Sequence, residues 1–457
     1  MIAGNNVVGK VTLTSPAPAG GETINIISDN PNMFPGRSLF FPGGTQVKAF
    51  SFDLMGVDAT TDLKLYAYDN AVTAIGILTM KPATLASFSF SPAQVVGGVN
   101  TSGVITLNGA AGPSGVTVNL TSGSSKVVLP VSVKVAAQVK TAVFTVPTGG
   151  VTGTVPTTHI AHQGSLVTTN ATLTLKGATL QSLTLNKAGV IGGNNVVLTA
   201  RLNGTAPSGG VTVALQTASS LVNLPATITV PAGKVAGAVS FNPRGVDVDV
   251  LQVALKGHTN ASDTNVVYLD VLAAQLVSVA FSPSTQLNGT AASLVLTLNG
   301  LIGPSGGAVH LTTGYGSKIT PPATVVLPAQ TKTKAVAVPT TLVDTDTAVS
   351  VTGTLAGTSL TGGLTIKEAK VTSLQALSTP TAGQSFTMKI NLTGRAGPSG
   401  RTITYSGTVD GPATLFVPAG ATSVTGVYSV PANAQGTFVS MSFAGPDGDT
   451  VYADYLI

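Results

Sequence analysis

The sequence predicts an all-β chain, built as a linear array of five antiparallel β-sandwich domains. Three observations predict it. A turn string recurs at a regular interval. Between the turns, apolar and polar residues alternate with a period of two. No helical segment is evident.

The turn string is GPSG at 112–115, 303–306 and 397–400, with the variants APSG at 206–209 and APAGG at 17–21. Its third letters, Ala19, Ser114, Ser208, Ser305 and Ser399, stand about 95 residues apart, the size of one small domain. The copies divide at residues 1–83, 84–178, 179–273, 274–369 and 370–457. Each is long enough to bury its own core without a disulfide or metal. The joins have almost no linker: TLTLKGATLQSLTL (172–185), YLDVLAAQLVSVAF (268–281) and GLTIKEAKVTSLQAL (363–377) run strand into strand. Such joins predict restricted hinges rather than flexible tethers. Five sandwiches in file would make a rod on the order of 200 Å long.

Copy two shows the elements in order. TLASFSFSP (84–92) alternates as a half-buried strand does. VVGG (95–98) reads as a turn, and GVITLNG (103–109) as the next strand. VTVNLTS (116–122) follows the AGPSG corner with strict alternation. Then come KVVLP, VSVKV (131–135), TAVFTVP (141–147) and a closing pair around THIAH and ATLTL (171–175). About seven short strands with turns every 8–12 residues are the pattern of a sandwich. Val, Ile and Thr dominate, as a pleated, half-buried surface requires.

In the GPSG corner, proline presets its own φ and the following glycine permits positive φ. The string therefore predicts a turn between two neighbouring strands. No helix follows the glycines, so a phosphate-binding loop is not written here. A second Pro-led turn closes a strand at VPAG (230–233, 417–420) and LPAQ (327–330).

A strand, then GG, then VTLNG.AGPSG..V.L.S, then P..V.VPAG....F.V resembles the tandem immunoglobulin-like repeats of bacterial surface proteins. The resemblance runs the length of the chain. It implies immunoglobulin-like sandwiches and a role as stalk, adhesin shaft or envelope-layer part. It brings no catalytic motif with it.

Composition narrows the function classes. Only 9% of residues are charged, against about 25% in an ordinary domain. A net charge of +5 over 457 residues is too dilute for a nucleic-acid surface. A hydroxyl-rich, weakly charged surface repels copies of itself little, which favours self-association into a homo-polymer or layer. Cysteine is absent, so neither disulfides nor thiolate metal sites form. No apolar run of about 18 residues spans a membrane. The opening MIAGNNVVGKVTLTS lacks a secretory leader's basic start and apolar core. A leader already removed, a start within a longer product, or another export route would each account for that.

The end copies differ from the middle three. Fifteen of the 22 Phe and Tyr residues lie in copies one and five. They pack a different core or cap the array; alternatively they make contacts, since aromatics are enriched in interface cores. Phe34, Phe40, Phe41, Tyr452 and Tyr455 are the interaction candidates. Copy one also lacks the strand that opens the middle copies, which exposes an edge that a neighbouring chain's strand would fill. The tail VYADYLI is the simplest donor.

Catalytic chemistry finds no support. His159, His162, His258 and His310 have no acidic neighbours in the chain to complete a site. No G-x-S-x-G stands between a strand and a helix. Strings of the N-x-S/T type, as at Asn119, Asn170 and Asn391, arise by chance in so Ser/Thr-rich a chain. Acidic pairs recur: Asp58 and Asp62, Asp247 and Asp249, Asp344 and Asp346, Asp447 and Asp449. Calcium takes such oxygens from loops between sandwiches, which makes Asp247, Asp249, Asp344 and Asp346 calcium candidates. The same residues also read as plain polar ends of strands.

The function expected is a non-enzymatic, extracellular structural subunit of a filament, sheath or surface layer. The rival is an adhesin or virion fibre that binds a glycan or cell-surface receptor through a terminal copy.

Overall fold

The computed structural model describes residues 1–165, 167–260 and 263–457. Every regular element among them is a β-strand. Copy one holds β1 (Asn6–Thr12), β2 (Glu22–Ser28), β3 (Arg37–Phe41), β4 (Val47–Asp53), β5 (Thr61–Tyr68) and β6 (Thr73–Met80). Copy two holds β7 (Leu85–Ser91), β8 (Gln94–Val96), β9 (Thr101–Leu107), β10 (Val116–Thr121), β11 (Ser132–Val135), β12 (Thr141–Val146), β13 (Thr154–Gln163) and β14 (Val167–Lys176).

In copy two the strands form two sheets, ordered β12-β9-β7 and β11-β10-β13-β14-β8. All neighbours are antiparallel except β8, which runs parallel to β14. The period-two pattern decides which side chains face inward: Ile105 and Leu107 from one sheet meet Val118, Leu173 and Leu175 from the other. The opening segment is shared between sheets, β7 on one and β8 on the other. This is the arrangement of an immunoglobulin-like sandwich. The strands of copies three and four repeat the same two orders.

Two details of the sequence reading change. Gln94–Val96 is a strand, and only Gly97 and Gly98 turn: Val95 is buried and pairs with Leu175. The GPSG corner does not join strands that pair. It carries the chain from β9 in one sheet to β10 in the other.

Copies one and five are reduced. In copy one β1 pairs with β4 alone, and β3-β2-β5-β6 form the second sheet. Nothing among the described residues occupies the place of β7. An isolated parallel bridge between Ile2 and Lys81 stands where β8 would be. Copy five has sheets of three and four strands, without an equivalent of β8. Its tail, Thr450–Leu456, pairs along its whole length with Phe438–Ala444. VYADYLI is therefore built into its own sheet and is no free donor strand.

Buried apolar residues among those described gather in clusters spanning 3–80, 83–175, 180–271, 276–366 and 369–443. The middle clusters are mostly Leu and Val. Those of copies one and five are built around rings: Phe34, Phe50 and Phe52, and Phe386, Tyr405, Tyr428 and Phe443.

Candidate functional site: the junctions between copies

The acidic pairs divide their work at the boundaries. In copy three, Val246 is buried in the core. That anchor turns its neighbours Gly245 and Asp247 toward copy four. Asp247 then accepts two hydrogen bonds from the GPSG turn: from the Ser305 amide to Oδ1 at 3.1 Å, and from the Ser305 hydroxyl to Oδ2 at 2.9 Å. The same clasp joins Asp58 to Ser114, where the hydroxyl bond is 2.8 Å, and Asp344 to Ser399, where it is 2.9 Å. The leading glycine of the turn makes room for it. A Cβ on Gly112, Gly303 or Gly397 would overlap an Oδ1 of the facing aspartate.

The second aspartates face their own copy. Asp249 Oδ1 accepts from the Ala273 amide at 2.8 Å, on the segment leaving copy three. Asp346 accepts from the Glu368 amide at 3.0 Å and from Lys367 Nζ at 2.7 Å. The Lys367 hydrogen bond holds the Asp346 carboxyl below the usual carboxylate range.

A glutamine adds a second lock at two boundaries. Gln138 donates to the Gly56 carbonyl at 3.2 Å and accepts from its amide at 2.7 Å. Gln330 does the same for Gly245, at 3.0 and 2.9 Å. Both glutamines hold positive φ, 60° and 57°, a conformation costly for a residue with a side chain. Between copies four and five the sizes exchange: Leu342 stands in the glycine's place and Gly420 in the glutamine's. There buried Asn288 ties the joint instead, donating to Val343 O at 2.8 Å and Arg395 O at 3.0 Å.

The remaining aspartates of the expected series lie elsewhere. Asp62 is on β5, while Asp447 and Asp449 lie in the hairpin that closes copy five. These last two bind Arg401, at 3.2 and 2.6 Å. Arg401 is buried and also pairs with Glu368 at 3.4 Å, on the segment entering copy five. Burial, and then the nearby Asp447, push the Glu368 carboxyl up. Among the described residues no three His, Asp or Glu side chains gather as a metal-holding group. The oxygens of Asp247, Asp249, Asp344 and Asp346 are directed at the amides, hydroxyls and ammonium named above.

The aromatic candidates separate by burial. Phe34 and Phe41 are core residues of copy one. Tyr455 packs edge-on against Phe386, 6.3 Å between centroids, inside copy five. These three are engaged within their own copies. Phe40 and Tyr452 face outward, 51% and 75% exposed. Phe438 and Leu456 share the outer face of the sheet with Tyr452.

Of the four histidines, His159 is fully buried. Thr157 Oγ1 donates to Leu173 O at 2.8 Å, which assigns the His159 Nε2–H as donor to Thr157 Oγ1 at 2.8 Å. Burial lowers its pKa, so the ring is neutral.

The aspartates and the turn are legible in the sequence, whereas the bond between them is not, in any one copy. The signal was present. Asp58, Asp247 and Asp344 each precede a copy whose turn reads GPSG, whereas Thr152 stands where the fourth would be. The turn after Thr152 is also offset by one residue. Gly115 bonds to Gly112 O, and its equivalent Gly210 bonds to Pro207 O. Pro207 thus takes the glycine's place and Gly209 the serine's.

No protein-family model and no curated protein matches the chain. The solved structures similar to it include activated Escherichia coli alpha-2-macroglobulin, at 11% identity and a TM-score of 0.17. That alignment covers 100% of this chain and 52% of the other, so the chain spans about half of it. Domains 4–9 of the surface layer protein SbsC are 14% identical, with a TM-score of 0.22, over 98% of this chain and 74% of theirs. The N-terminal eight Ig domains of Down Syndrome Cell Adhesion Molecule are 9% identical, with a TM-score of 0.19, over 100% of this chain and 69% of theirs. No helix among the described residues is long and apolar enough to cross a membrane.

Proposed function

We propose that the chain is a non-enzymatic structural subunit of an extracellular assembly, a filament, sheath or surface layer. Five immunoglobulin-like domains form its rod, and the divergent end copies contact other chains. The observation that carries this reading is the Asp–Ser clasp, built at three of the four boundaries. Specific polar locks between consecutive sandwiches transmit orientation along the array. Three buried ionisable groups, Arg401, Glu368 and His159, are each engaged in holding strands or segments together, which supports a structural reading over a catalytic one. Negative-stain microscopy of the purified chain tests the proposal. Ordered polymers or layers are expected; dispersed single rods at every concentration would overturn the assembly.

The exposed face of Tyr452, Phe438 and Leu456 favours the second reading, a terminal copy that binds a glycan or receptor. A glycan array separates the two: binding abolished by Tyr452→Ala would support the adhesive role.

A further inference from the structure

We infer that the junction between copies two and three is a built-in pivot in an otherwise locked array. Each lock found elsewhere is missing here, and from both partners at once. Thr152 replaces the clasping aspartate, and among the described residues no hydrogen bond joins it to copy three. The receiving turn has Gly209 for the serine. Pro207 fills the space that Gly112, Gly303 and Gly397 leave open for a carboxylate. The glutamine's place is taken by Gly233 and its facing residue is Gly150, so neither the amide bridge nor the Leu342–Gly420 size exchange is present. The connecting segment has Gly177 where the others have Pro82, Ala273 and Glu368. A glycine there widens the backbone's freedom at the hinge itself.

Space follows the lost contacts. The crevice at this boundary, beside Thr152, Gly177 and Pro207, has a volume of about 490 Å³. Its counterparts beside Asp58 and Asp247 have about 270 and 220 Å³. The joint is not severed, because Thr205 donates to Gly97 O from its amide at 2.9 Å and from its hydroxyl at 3.4 Å. Both bonds meet at one oxygen, so with the flanking locks removed they leave a point about which the two halves turn.

The cysteine-free chain suits spin labelling. Lys134, Thr229 and Val326 are exposed and occupy equivalent positions of copies two, three and four. Pulsed electron spin resonance is measured on Lys134→Cys with Thr229→Cys, and separately on Thr229→Cys with Val326→Cys. The first pair is expected to give the broader distance distribution. Installing a clasp with Thr152→Asp, Pro207→Gly, Ser208→Pro and Gly209→Ser is expected to narrow it to the width of the second pair. In the reverse direction, Asp247→Thr with Ser305→Gly is expected to broaden the second pair, so the inference does not hang on one heavily substituted variant. Equal widths for the two pairs in the otherwise unaltered protein would overturn the pivot. Widths that differ but ignore both sets of substitutions would overturn its assignment to the missing clasp.

Discussion

Asp247 Oδ2 accepts the hydroxyl hydrogen of Ser305 at 2.9 Å, across the boundary between copies three and four. Oδ1 takes the backbone amide of the same serine. A double-mutant cycle of Asp247→Ala and Ser305→Ala, read by thermal or urea unfolding, should show a coupling of about 0.5–1 kcal/mol, as expected for an exposed charged hydrogen bond. Additive effects would mean the contact contributes nothing.

Tyr428 lies fully buried, and its hydroxyl has no partner among the described residues. Burial raises the hydroxyl's pKa above the ordinary phenol range. Its ring packs 4.8 Å from Tyr405, whose own hydroxyl donates to Val409 O at 2.7 Å. Tyr428→Phe should therefore stabilise copy five by about 1 kcal/mol, whereas Tyr405→Phe should destabilise it by about the same amount. Urea midpoints of the two variants, moving in opposite directions, check this.

Arg401 holds Asp449, Asp447 and Glu368 at the entry to copy five. Arg401→Met leaves the buried Asp449 carboxylate without a counter-charge and Glu368 with only the exposed Lys370, at a cost of about 3 kcal/mol. Adding Asp449→Asn should restore part of the loss. Hydrogen exchange of copy five, read by mass spectrometry, gives both values locally.

His159 supplies a pH dependence. Its folded pKa lies below the unfolded value, so the unfolded chain binds the proton more readily. The stability contributed by the neutral ring is complete above about pH 6.5 and declines as pH falls toward the folded pKa. Copy two amides should exchange faster relative to their intrinsic rates at about pH 5 than at about pH 7. His159→Gln should flatten that difference.

Calcium offers a direct comparison. The oxygens of Asp247, Asp249 and Asp344 already accept protein hydrogen bonds. Thermal melts in calcium and in chelator should coincide. A midpoint raised by calcium would mean that a cation displaces the clasp.

The alternation of strands such as Val116–Thr121 made the sandwich legible, because a half-buried sheet imposes period two on its own residues. Val95 was misread because GG follows at once and three residues are too few to show a period. The clasp was hidden for another reason. Asp247 and Ser305 are 58 residues apart, and no local pattern links a loop of one copy to a turn of the next. The aromatic ends misled for a third. Composition places Phe40 and Phe41 in one group, while only the strand register sends one out and the other inward.

Because β8 runs parallel to β14, the segment that enters copy two and the one that leaves it lie side by side, with their free ends at opposite poles. Tension along the chain therefore loads their shared hydrogen bonds in shear, all together, rather than peeling them one at a time. Copy five has no such strand, and copy one keeps only the bridge from Ile2 to Lys81. Under load copies one and five are expected to yield before copies two, three and four.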